Sequence, residues 1–187
     1  MQLSINRLIA IIRDEDDPRL PDLARQVLAV LAGQIEQLET AIAALEKQLM
    51  VWHKSNPVSQ RLATIPGIGP IIATAIAAMV AEPTGFRSGR EFAAWLGLVP
   101  RQNSTGGKTR LGGISKRGNQ YLRRLLINGA SANLLRSKAT NADPWVMGLR
   151  RRRPSMVVAV ALANKTARIA WAVMQRQENY RRVAIAA

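Results

Sequence analysis

The stretch Asn103-Ser104-Thr105-Gly106-Gly107 puts two hydroxyls on a glycine-rich turn, with Lys108 and Arg110 close behind. Gly112, Gly113, Ser115, Lys116, Arg117 and Gly118 continue this basic, pliable surface, and Tyr121, Arg123 and Arg124 open the next helix. A hydroxyl ringed by cations suits a phosphate, either as a bound ligand or as the centre that the hydroxyl attacks. Residue types alone do not choose between the two. Ser131, in Gly129-Ala130-Ser131-Ala132, is a competing serine, but its small neighbours read as close helix packing. His53 is the single histidine and cysteine is absent. That excludes a disulfide framework, a thiol nucleophile, a Cys-based metal site and any Ser–His–Asp triad not built on His53. The acidic run Asp14–Asp17 before Pro18 reads as a solvated loop, so no metal site is expected in this chain.

A second phosphate-seeking element is Leu62-Ala-Thr-Ile-Pro-Gly-Ile-Gly-Pro-Ile-Ile-Ala-Thr-Ala-Ile76, which has the form of a helix-hairpin-helix. Gly67 and Gly69 are expected to supply positive φ and close backbone approach in the turn. Ile65, Ile68, Ile72 and Ile76 would join the two helices. The amides opening the second helix could then hold a DNA phosphate, which positions nucleic acid without reading its sequence. A turn that merely links two helices is the alternative. Farther along, Arg150–Arg153 reads equally as a phosphate clamp or a solvated turn. Lys165 and Arg168 could line the same face or extend from the core.

The overall charge favours the binding roles. The 187 residues carry 27 Lys+Arg against 12 Asp+Glu, a net charge of +15. The first 50 residues hold five basic and eight acidic residues, so the remainder carries +18. An excess of that size repels itself unless an anion meets it, and nucleic acid is the obvious partner. No secretory pattern opens the chain, and no apolar run looks long enough to span a membrane. The expectation is a cytoplasmic protein without a membrane partner.

The elements that must position these residues are helical. Leu28, Leu31, Ile35, Leu38, Ile42, Leu45, Leu49 and Trp52 recur in alternating steps of three and four, with Ala24 one step earlier. That is the seam of a coiled coil or a long helical hairpin, and it predicts self-association through residues 24–52. Ser55-Asn56-Pro57 breaks the helix. The division expected is a helical segment over 1–57 and a compact helical domain over 58–187, the latter containing the helix-hairpin-helix. Residues 119–138 and 155–177 show helical periodicity, and few alternating runs are long enough for a strand. The fold class is mainly α.

With these residues in view, the sequence resembles a known family. TIPGIGP, the run FAAWLGLVPRQNSTGGKTRLGGISKRGNQYLRRLLINGA and the tail ALANKTARIAWAVM resemble the C-terminal transposase domain of IS110-family insertion-sequence transposases. These are DEDD-type recombinases, several of them guided by a bridge RNA. The resemblance covers about residues 57–180. It implies a serine nucleophile that attaches to DNA, matching Ser104, with Thr105 as the alternative hydroxyl. It also implies phosphate contacts from Gly67, Gly69, Lys108, Arg110, Lys116, Arg117, Arg123 and Arg124. Mg²⁺ belongs to the family's N-terminal RuvC-like domain, which this sequence does not show, and no cofactor is expected on the chain itself. A guide RNA is implied for the full-length family.

Two functions follow. One is the DNA-binding C-terminal part of a transposase that supplies a serine for strand cleavage and transfer, in a truncated form inactive alone. The other is a non-catalytic DNA-binding and dimerisation module that modulates a full-length transposase. A helix-hairpin-helix glycosylase is rejected, because Glu82 is the only carboxylate near the hairpin where an Asp is needed.

Overall fold

The computed structural model describes residues 5–103, 108, 110–136 and 143–181. The fold is mainly α, with eight helices and one two-stranded ribbon among the described residues. The chain divides into two compact units, residues 1–48 and 49–187.

The first unit contains α1 (Ile5–Arg13) and most of α2 (Asp22–Ser55). One guanidinium organises the link between them. Arg25 donates to the carbonyl oxygens of Ile11 at 3.0 Å, Asp17 at 2.7 Å and Leu20 at 3.1 Å, and also to that of Asp14. The acidic run is therefore not uniformly solvated. Asp14, Glu15 and Asp16 are exposed, but Asp17 is buried and accepts from the Arg19 side chain. That hydrogen bond, reinforced by the Arg19 backbone N–H, holds the Asp17 carboxyl well below the usual carboxylate range. Along α2 the heptad seam stays open to solvent: Leu31, Leu38, Ile42 and Leu45 are each at least half exposed.

The second unit is capped helix by helix. Asn56 accepts from the N–H of Ser59 at 2.9 Å with Pro57 in the first helical position, starting α3 (Pro57–Ala63). After α4 (Pro70–Met79) and a single 3-10 turn at Pro83–Gly85 comes α5 (Gly89–Trp95), where Ser88 and Glu91 cap reciprocally. The Ser88 hydroxyl accepts from the N–H of Glu91, whose carboxylate accepts from the N–H of Arg87 at 2.7 Å. Asn119 caps α6 (Gln120–Arg136) and Asp143 caps α7 (Pro144–Arg150). The last helix, α8 (Ser155–Arg176), ends in a left-handed Gln177.

The core forms around α8, against which α3, α5, α6 and α7 all pack. Leu62, Ile76, Phe92, Leu96, Leu98, Leu122, Leu126 and Val158 are essentially sealed from solvent. Side-chain polar groups of α8 fasten the loops. Trp171 Nε1 and Gln175 Nε2 both donate to the Pro83 carbonyl at 3.1 Å, and Asn164 donates to that of Leu98 at 2.9 Å. Both α2 and α8 reach the length and apolarity of a membrane span, contrary to the expectation from apolar runs. Each contains an 18-residue stretch with few charges, and α8 spends its apolar residues on the core.

The α3–α4 turn docks on α6 through a backbone contact. A Cβ built on Gly129 would lie 2.1 Å from the Gly67 carbonyl oxygen and 2.6 Å from Ile72 Cδ1. Gly67 has φ +89°, so glycine is needed there for conformation as well as for space. Gly69 differs from expectation: its φ is −89° and its ψ 177°, extended backbone open to any residue, and a Cβ there meets nothing. Gly129→Ala should therefore cost about 1–3 kcal/mol through overpacking, lowering the thermal midpoint by several degrees. Gly69→Ala should leave it unchanged, and circular dichroism melts of the two variants compare them directly.

Candidate nucleic-acid interface

Three segments hold the residues expected to contact phosphate. The first is the turn from Thr64 to Gly69. Ile65 and Ile68 are buried beneath it, while Thr64, Pro66 and Gly69 face solvent. The first helical hydrogen bond of α4 runs from Ala73 N to Gly69 O at 2.9 Å. The N–H groups of Ile71 and Ile72 precede it and have no acceptor within the helix, and Pro70 has no N–H at all. The helix dipole adds a modest attraction for an anion there. Gly67 has a second job, since its carbonyl is pressed against Gly129.

The second segment is a ribbon that the sequence did not disclose. β1 (Pro100–Gln102) and β2 (Leu111–Ile114) pair antiparallel, with Pro100 opposite Ile114 and Gln102 opposite Leu111. The pairing extends at both ends: Asn103 N donates to Arg110 O at 2.8 Å, and Ser115 N to Val99 O at 2.8 Å. Asn103 and Arg110 thus close the described ribbon. Ser104 and Thr105 lie outside the described residues. Of their neighbours, Lys108 and Arg110 are exposed. Arg101 on β1 is exposed too, and its guanidinium donates to the Ser115 carbonyl at 3.3 Å. Arg101 was missed because its membership of the ribbon depends on pairing with a strand nine residues away.

The third segment is Lys116-Arg117-Gly118 and the start of α6. Lys116 and Gly118 are both left-handed, with φ +56° and +88°. They bring the chain so near the end of α5 that a Cβ on Gly118 would overlap the Trp95 carbonyl oxygen at 1.7 Å. The side chains of Lys116, Arg117 and Arg124 are exposed, and Arg124 lies 6.0 Å from the Tyr121 ring centroid.

Arg123 is not with them. It is 9% exposed, and its guanidinium donates to the carbonyls of Leu96 at 3.0 Å and Arg117 at 3.4 Å. Of the cations expected to contact phosphate, Arg123 is therefore turned inward and the others described are exposed. The physical reason is non-local: the carbonyls of Leu96, just past α5, and of Arg117 need a donor, and Arg123 is the cation that reaches them. Ser131 is half-buried within α6.

Between them the three segments present exposed guanidinium and ammonium groups and, at the start of α4, backbone amides without a helical acceptor. Residues 59–145, which include all three segments, match the family model described as Transposase, IS116/IS110/IS902 family. Residues 59–145 carry the transposase domain of that family. The chain is 49% identical to a "Probable family 20 transposase" of Pseudomonas aeruginosa over 93% of its own length and 52% of that protein. It is 42% identical to the transposase for insertion sequence element IS1111A of Coxiella burnetii, over 84% of the chain and 44% of the relative. The transposase for element IS1328 of Yersinia enterocolitica is 41% identical, with 91% and 53% covered. The chain thus spans about half the length of the curated transposases it matches.

Mg²⁺, which the family resemblance implies, finds no fit among the described residues of this chain. No three His, Asp or Glu side chains converge there, and Asp17 is committed to Arg19.

The two adjacent arginines separate folding from binding. Arg123→Met removes hydrogen bonds of a kind worth about 1.5–3 kcal/mol when charged, so thermal unfolding should shift down by several degrees. Arg124→Ala should change stability by no more than about 0.5 kcal/mol and instead weaken nucleic-acid binding, measured by fluorescence anisotropy.

Proposed function

We propose that this chain is the nucleic-acid-binding part of a DNA transposase of the cytoplasm, acting on DNA together with a guide RNA. The observation that supports it most is a set of exposed cations: Arg101, Lys108, Arg110, Lys116, Arg117 and Arg124 are all exposed within the segment matching the family. The α3–α4 unit acts as a helix-hairpin-helix, with Gly67 setting the turn and the α4 amides meeting a phosphate. Gly69 contributes by leaving that approach unobstructed. Binding of this kind is non-specific in sequence, because phosphates and not base edges are touched.

The same reading places the nucleophile at Ser104. Its hydroxyl oxygen would bond to phosphorus and displace a deoxyribose oxygen, while Lys108 and Arg110 stabilise charge on the non-bridging oxygens. Thr105 is the alternative nucleophile. The metal-dependent part of catalysis belongs to a RuvC-like domain. The open seam of α2 supports self-association as a coiled coil over residues 24–52. Ile35 and Ile42 with Leu38 and Leu45 form its centre, and a second copy presents a stripe of matching period. A non-catalytic module that binds DNA and dimerises is the second reading, and the same exposed seam favours it.

Binding is tested by anisotropy across a salt series. Log affinity should fall linearly with log salt, by about 0.9 for each duplex phosphate neutralised. Lys108→Gln and Lys116→Gln should each flatten the slope by about one, while a slope near zero for the wild type refutes the proposal. In the same preparation, light scattering should show an oligomer that Leu38→Lys dissociates without loss of the 49–187 core signal.

The two functional readings part on a covalent adduct. In a reaction supplemented with a relative's RuvC-like domain, Mg²⁺ and DNA, a denaturant-resistant protein–DNA species should form. Ser104→Ala should abolish it, and Thr105→Ala and Ser131→Ala should not. Loss in Thr105→Ala with retention in Ser104→Ala moves the assignment by one residue. An adduct surviving all three changes removes the serine mechanism from this chain.

A further inference from the structure

The packing of α7 on α8 leaves a cleft of about 450 Å³, within the size range of small-molecule sites. Its floor is one face of α8, on which Ala161, Lys165, Arg168 and Ala172 follow at helical steps of four, three and four. The alanines at either end keep the floor low. Trp145 forms the wall, held by Pro144 and by the Asp143 carboxylate, which accepts from the Trp145 N–H at 2.9 Å. The indole is 43% exposed, and Lys165 Nζ lies 4.8 Å from its ring centroid. Lys165 also pairs with Asp143, so the carboxylate beside the cleft is already neutralised. Arg168 is exposed, and its backbone is fixed by Gly89, where an added Cβ would sit 3.0 Å from the Arg168 carbonyl oxygen.

We infer that this cleft takes an unpaired nucleobase, which stacks on Trp145 while its phosphate meets Arg168 and Lys165. The inference rests on the nucleic-acid reading above and adds to it a single-strand site apart from the ribbon and the α3–α4 turn. A tryptophan left half wet on a cationic surface is the arrangement that single-strand binders use, since every base offers a stackable face. Paired bases hide those faces, so duplex DNA gains only the charge contacts here. Both the deoxyribose and the ribose form carry the same base and phosphate.

The full chain is titrated with short oligothymidylate, oligouridylate and a blunt duplex, reading tryptophan emission and anisotropy at fixed salt. Stacking should quench emission with the single strands and not with the duplex. Quenching by oligothymidylate alone assigns the site to DNA, by oligouridylate alone to RNA, and by both to either strand. Trp145→Phe should abolish the quenching while retaining most of the affinity. Trp145→Leu should weaken single-strand binding about tenfold and leave the duplex unaffected. Ala172→Phe, which fills the cleft and leaves Trp145 in place, should reproduce that selective loss. Quenching that persists in Trp145→Phe overturns the inference, as does equal weakening of single strand and duplex. Quenching by polyglutamate but by neither oligonucleotide also overturns it, in favour of an acidic peptide. A wild-type chain that binds no nucleic acid at all fails the broader proposal, whereas duplex binding without single-strand quenching fails this one alone.

Discussion

Two joints of the second unit depend on backbone meeting backbone without side chains between. Gly67 against Gly129 seats the α3–α4 turn on α6, and Gly118 against Trp95 seats the approach to α6 on the end of α5. Contacts this close exclude water from peptide groups, so each carbonyl in them needs a donor or a solvent path. Arg123 meets that need at Leu96 and Arg117. The flexible cations around these joints are therefore carried by rigid chain. An exposed lysine loses much conformational entropy when it grips a phosphate, and a fixed backbone beneath it keeps that loss confined to the side chain.

Much of the fold is legible in the sequence, and its limits are physical. Helix starts show through local chemistry: Asn56-Pro57, Ser88 followed by Glu91, and Asp143-Pro144 all act over a span of a few residues. The long α2 and the core helix α8 follow from periodicity. The ribbon does not, because three and four residues with two adjacent glycines give no alternation to detect. The burial of Arg123 is equally invisible, since Arg123 and Arg124 are the same residue type on one helix. Only the carbonyls of Leu96 and Arg117, brought there by tertiary packing, tell them apart. Of the candidate site, the cations at 108, 110, 116, 117 and 124 are on the surface as their polarity predicts. Gly69 was assigned a conformational role that only Gly67 has.

The two units differ in what stabilises them. The first has little apolar burial of its own: Ala32 is its sole buried hydrophobic residue among those described, and its link is ordered by Arg25 and by the Asp17–Arg19 pair. Asp17's depressed carboxyl makes that pair fully effective above the ordinary carboxylate pKa of about 3.9. Its contribution disappears only as pH falls from there through the depressed value. The second unit relies on a continuous hydrophobic cluster, with the buried Arg123 guanidinium holding two carbonyls beside it.

The central position of α8 also fixes the order of events during synthesis. Helices α3, α5, α6 and α7 all close on a partner that follows them in the chain. A ribosome releases the basic segments well before it releases Ser155–Arg176, and until then those segments have no finished core to sit on. Their many positive charges meet the polyanionic surroundings of the translating ribosome as unfolded chain. Completion of the final helix is what turns a sticky nascent polymer into a shaped surface, so folding of this domain is gated by its last long helix.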